Sequence, residues 1–118
     1  MNPLSSTLFR RAELVVATDN NTTQAISILG FEIVAIITPA TLDGATNDIT
    51  FSIDPGDGTF RLIRDASGSA IVLTDVAVDE HLQVPKGNPP IVGSLLRLEL
   101  SEAEAADRVF LVQLVRLP

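Results

Sequence analysis

The sequence contains no cysteine, no tryptophan and no tyrosine. Without thiols it has neither a disulfide framework nor a thiolate metal site, and its redox compartment cannot be read. Lysine is nearly missing as well. Lys86 is the only one among eight basic residues, set against fifteen acidic ones for a net charge of −7. The arginines are scattered, with Arg10-Arg11 the single adjacent pair. A phosphate backbone is held by clustered Lys and Arg that displace counterions. Neither nucleic acid nor an anionic membrane surface is therefore an expected partner. No apolar run approaches the ~20 residues that span a bilayer. The opening MNPLSSTLFRRAEL lacks the apolar centre and small-residue cleavage site of a signal peptide, so a soluble chain made in the cytoplasm is expected.

What is present is aliphatic. Apolar residues make up 46% of the 118, mostly Val, Ile, Leu and Ala, with five Phe as the only aromatics. That length predicts one domain with a core large enough to need no staples. Asp48–Thr74 sets the pattern. Ile49, Phe51 and Ile53 alternate with Asp48, Thr50, Ser52 and Asp54, the period of two that gives a strand one apolar face. Pro55-Gly56-Asp57-Gly58 turns the chain. Phe60 and Leu62 continue the apolar face, and Asp65–Ser69 turns again into Ala70–Thr74, which predicts a three-stranded meander.

The remaining segments read similarly. Ala12–Ala17, Thr23–Leu29 and Phe31–Thr38 are predicted strands. The third is almost continuously apolar and β-branched, as in a central strand covered on both faces or one lying in an interface. Pro39 ends it, and 39–47 connects to the next strand. Glu80–Val84 is a short candidate, Val76–Asp79 is ambiguous, and the prolines of 85–90 mark an irregular connection. Leu95–Leu100 alternates again. Ser101–Asp107 carries helix formers enough for a single turn. Arg108–Leu117 closes as a long strand, with Phe110, Val112 and Leu114 on one face and Val109, Leu111, Val115 and Leu117 on the other. About eight strands with frequent turns predict an all-β fold, a single antiparallel β-sandwich, jelly-roll-like because of its long non-local connections.

Candidate chemistry is sparse. His81 is the only histidine, and Asp79 and Glu80 beside it alternate in direction on a strand, so no orienting carboxylate follows from spacing. Asp54, Asp57 and Asp65 lack the ligand spacing of a calcium loop and read as turn formers. Gly56-Asp57-Gly58 has no following GK[ST], and Ser67-Gly68-Ser69 lacks a nucleophile elbow's flanking glycines. No enzyme, cofactor or metal is expected. A carbohydrate-binding module usually stacks Trp or Tyr on sugars, and this chain has neither. An interaction protein remains. Residues 1–11 read either as a frayed terminus or as an arm, with the sandwich domain at 12–118. In the second reading Leu4, Leu8, Phe9, Arg10 and Arg11 bind a partner, and deleting 1–11 abolishes binding without unfolding the chain.

Longer motifs carry a resemblance. GFEIVAIITPATL, then ITFSIDPGDGTFRLIRDASG, then LLRLELS and a closing AADRVFLVQL resemble small β-sandwich virion accessory proteins of tailed bacteriophages. That group shows a GF-strand ending in Pro-Ala, a TF-x-x-S-x-D-G-G-T-x-W hairpin, a D-x-x-G turn, and a late L-R-L-x-S … ADR pair. The matches include Gly30, Phe31, Pro39, Ala40, Thr50, Phe51, Gly58, Thr59, Asp65, Gly68, Arg97, Asp107 and Arg108. The departures are Leu42, where the group often has Trp, and Phe60, near which it has an aromatic, often Trp. The resemblance implies a virion protein made in the host cytoplasm, of the capsid decoration (cement) or head-spike type. Its implied partners are itself, with a trimer the first expectation, and the major capsid protein or another virion protein. A carbohydrate- or receptor-binding module of a phage fibre is the alternative.

Overall fold

The computed structural model describes residues 9–43, 47–84 and 91–117. Nine strands are found among them: β1 (Phe9–Val16), β2 (Ile26–Ser27), β3 (Phe31–Ile37), β4 (Asn47–Asp54), β5 (Arg61–Leu62), β6 (Val72–Val76), β7 (His81–Gln83), β8 (Leu95–Leu100) and β9 (Arg108–Arg116). They form two antiparallel sheets. The first runs β1-β9-β3-β7, and the second runs β2-β8-β4-β5, with β6 also on β4. Chain neighbours β1 and β2, β3 and β4, and β8 and β9 lie in opposite sheets. The fold is thus an all-β sandwich wound back and forth between its layers.

The core follows from alternation. Leu14, Ile33, Ile36, Phe110, Val112 and Leu114 come from the first sheet, and Ile49, Phe51, Leu96, Leu98 and Leu100 from the second; all are at most 2% exposed. Each such side chain contributes roughly 1.5–3 kcal/mol on burial, whereas an exposed ion pair gives ~0–1 kcal/mol. Apolar burial therefore holds the two sheets together. The two strands that read as apolar on both faces, β3 and β9, are the interior strands of the first sheet. A bulge between Ile33 and Ala35 shifts the β3 register, so that both Ile33 and Ile36 face the core, opposite Leu114 and Val112.

Several expectations change. The meander is not three strands side by side: β5 and β6 lie in succession along one edge of β4, pairing with Ser52–Ile53 and with Asn47–Thr50. They form one edge strand interrupted by an excursion closed by the Arg64–Ala70 bridge and by the Ile71 N–H donating to the Ile63 carbonyl at 3.1 Å. Only Ile26 and Ser27 of the expected Thr23–Leu29 strand join the ladder. Thr23 is bound differently: its N–H donates to the Leu98 carbonyl and its hydroxyl accepts the Leu98 N–H, both at 3.0 Å. No helical turn forms over Ser101–Asp107. Polar side chains there bond neighbouring loops instead, offering the backbone an alternative to a helix. Finally, β1 begins at Phe9, three residues earlier than expected, with Phe9, Arg10 and Arg11 opposite Val115, Leu114 and Gln113.

Candidate functional site

The outward face of the first sheet is where the sequence's unexplained apolar residues collect. Along β1 the outward positions are Phe9, Arg11, Glu13 and Val15; along β9 they are Val109, Leu111, Gln113 and Val115. Ile37 of β3 lies opposite Leu111 and His81 of β7. Phe9 is 59% exposed and Val109 39%. A mixed face of this kind, apolar along its interior strands and charged at Arg11, Glu13 and Glu32, is suited to contact with another protein surface. His81 is exposed on the short edge strand, and no group of three or more metal-ligating side chains occurs among the described residues.

Three of the five expected partner-binding residues meet in one depression. Phe9, Arg10 and Arg11 line it together with Val34, Gln113 and Leu114, around about 370 Å³. Leu4 and Leu8 lie outside the described residues. Sequence pattern gave no reason to add Val34 or Gln113: Val34 joins through the β3 bulge, and Gln113 stands opposite both Arg11 and Ala35. Arg10 is turned to an internal task. Its guanidinium donates to the Ser27 carbonyl at 2.9 Å and sits 5.7 Å from the centre of the Phe31 ring. It ties the two sheets, which leaves Phe9 and Arg11 as the outward-facing members of the set. Removing residues 1–11 would also remove three paired positions of β1.

The opposite pole of the molecule is a polar knot. Glu104 is 1% exposed. Its Oε1 accepts from the Asp43 N–H and from Arg108 Nε, both at 2.9 Å, and its Oε2 from Asn47 Nδ2 at 3.3 Å. Asp43 in turn accepts from Arg108 and from the Ala105 N–H, and this N–H, followed by the guanidinium, holds its carboxyl below the usual value. Asp107 accepts the Thr18 N–H at 2.8 Å and the Thr18 hydroxyl at 2.9 Å, with the same consequence. The knot joins the β1–β2, β3–β4 and β8–β9 connections. It gives Asp107 and Arg108, two of the residues carrying the resemblance, a structural task.

The acidic turn residues are engaged in the same way. Asp54 is buried and accepts the N–H groups of Gly56 and Gly58. Asp65 accepts from the Ser67 hydroxyl and N–H and from the Ser69 N–H. Their oxygens close turns. On the outer face of the second sheet, Arg97 lays its guanidinium over the Phe60 ring at 4.4 Å. Its Nε is buried with no hydrogen-bond partner among the described residues.

No protein-family model matches this chain, and no curated protein matches it. Among solved structures, the chain is similar to peruvianin-I, a cysteine peptidase from Thevetia peruviana latex, at 8% identity and a TM-score of 0.47, over 94% of this chain and 52% of that one. It thus spans about half of that protein. It is similar also to a chain of the acidic stable capsid of Helicobacter pylori bacteriophage KHP30, at 16% identity and a TM-score of 0.47, over 92% of this chain and 87% of that one.

Proposed function

We propose that this chain is a non-enzymatic structural protein of a tailed-phage virion, a capsid decoration or head-spike base protein that works as a homo-oligomer on the outer surface of the particle. The observation that carries the reading is the outward face of the first sheet: Phe9, Val109, Leu111 and Val115 stand on strands whose other face already fills the core. The resemblance of the Gly30–Leu114 motifs to virion accessory proteins supplies the class of partner. Burial of this face against a neighbouring virion protein supplies the mechanism, since roughly 1,600 Å² of total buried surface is enough for stable association. The net charge of −7 keeps the remaining surface soluble.

Co-sedimentation of the full chain with purified heads of the virus that encodes it tests the proposal. Saturable binding is expected. Phe9→Asp should abolish it while leaving the far-ultraviolet circular dichroism unchanged, because Phe9 is 59% exposed. Absence of binding overturns the function. Binding that Phe9→Asp does not weaken removes this face from it.

A further inference from the structure

We propose that β1 is a pairing edge for a second copy of this chain, joining two first sheets into one continuous sheet about a two-fold axis at Ala12. The inference rests on the oligomeric reading above and names its joint. Among the described residues, strand β1 is the outermost strand of its sheet, paired with β9 alone apart from one bridge between Val16 and Thr23. Unpaired edges are templates for a further strand, and proteins ordinarily guard them.

Here the guard covers half the edge. Gln24 holds the end near Val15: its Oε1 accepts the Val15 N–H at 2.7 Å, its own N–H donates to the Val15 carbonyl at 3.3 Å, and its Nε2 reaches the Glu13 carbonyl at 3.4 Å. These bonds also show which residues direct their backbone groups to the free edge, namely the odd-numbered ones. The N–H and carbonyl of Arg11 and the N–H of Glu13 point the same way by the alternation of an antiparallel ladder. Among the described residues no strand pairs with them.

The side chains choose the register. The outward positions read apolar, positive, negative, apolar: Phe9, Arg11, Glu13, Val15. An antiparallel partner centred on Ala12 sets Arg11 opposite Glu13 of the second copy, twice by symmetry. Moving the centre to Arg11 sets arginine against arginine, which opposes like charges directly. The Ala12-centred register also pairs Arg11 with Glu13 through backbone groups that both face the edge, giving four hydrogen bonds across the joint. The Glu13 carbonyl has a second lone pair for the long Gln24 contact. Gln24 then ends the pairing at Val15. The joint doubles the apolar outward face, and because it is two-fold it predicts dimers or even-numbered assemblies rather than a trimer.

Sedimentation equilibrium of the full chain over a concentration series, repeated with charge variants, decides this. Arg11→Glu and Glu13→Arg each place like charges opposite one another at both symmetric positions. Each should raise the dissociation constant roughly tenfold or more. Both side chains are exposed, so the fold should survive, which circular dichroism checks. The double variant R11E/E13R restores opposite charges and should return the dissociation constant to near that of the parent. Self-association that the single variants do not weaken, or that the double variant does not restore, overturns this joint and leaves association through the sheet face standing. A chain that stays at 12.6 kDa up to about 1 mM overturns it too. Head binding by the parent chain answers separately for the function.

Discussion

Replacing Glu104 by alanine should be among the most damaging single changes in this protein. The carboxylate is 1% exposed and accepts three hydrogen bonds, from the Asp43 N–H, Arg108 Nε and Asn47 Nδ2. Alanine removes every acceptor at once and leaves a cavity. Asn47 is itself 1% exposed and cannot turn its amide over to compensate, because its Oδ1 already accepts the Ser101 hydroxyl and the Glu102 N–H. Removing one member of a buried ion pair costs about 3–5 kcal/mol, a large share of the ~5–15 kcal/mol by which domains are stable. Tryptophan and tyrosine are absent, so unfolding is best followed by far-ultraviolet circular dichroism. With a urea m-value of roughly 1–3 kcal/mol/M, the midpoint should fall by at least about 1 M. On heating, Tm should fall by roughly 12 °C or more. Glu104→Gln should lie between parent and alanine variant: one amide oxygen still serves part of the set, while the amide nitrogen meets another donor. A midpoint shift below about 0.3 M for Glu104→Ala, worth less than ~1 kcal/mol, would refute the claim that this knot holds the three connections together.

Acid should weaken the fold through the carboxylates that accept hydrogen bonds in its turns and connections. Asp43, Asp57, Asp65 and Asp107 are held below their ordinary value of 3.8, chiefly by the Ala105 N–H, the Thr59 N–H, the Ser67 hydroxyl and the Thr18 N–H respectively. Groups whose folded values are depressed stabilise the fold above the unfolded value and lose that contribution as pH falls through the folded one. Urea midpoints should therefore be flat from neutral pH to about 5 and decline below about 4; a decline that begins above pH 6 would contradict this. Gly93→Ala should destabilise by about 1–3 kcal/mol. A Cβ there would stand 2.3 Å from Ile53 Cγ2 and 3.4 Å from the Asp54 carbonyl, and an unchanged urea midpoint would show that β4 yields to it.

Alternation by itself determined the class of fold, because a period of two admits one apolar face per strand, and Asp48–Asp54 and Leu96–Leu100 keep that period. The turns at Pro55–Gly58 and Asp65–Ser69 were equally legible, since proline presets φ and aspartate accepts from backbone N–H groups a few residues on. Strand adjacency was not legible, for it depends on residues far apart in the chain. Nothing near Arg61 indicates that β5 and β6 share an edge of β4, and nothing near Phe9 shows that Val115 stands opposite. The sequence also left Ser101–Asp107 as a candidate helical turn. Tertiary contacts with Asp43, Asn47 and Thr18 decided otherwise, because Glu104 gains acceptor roles in a buried knot that a lone turn cannot provide. The same holds for Arg10 and Arg11. They are identical and adjacent in sequence, yet one ties the two sheets through Ser27 and the other faces outward, because neighbours on a strand point to opposite sides and only the packed sandwich determines which side is covered.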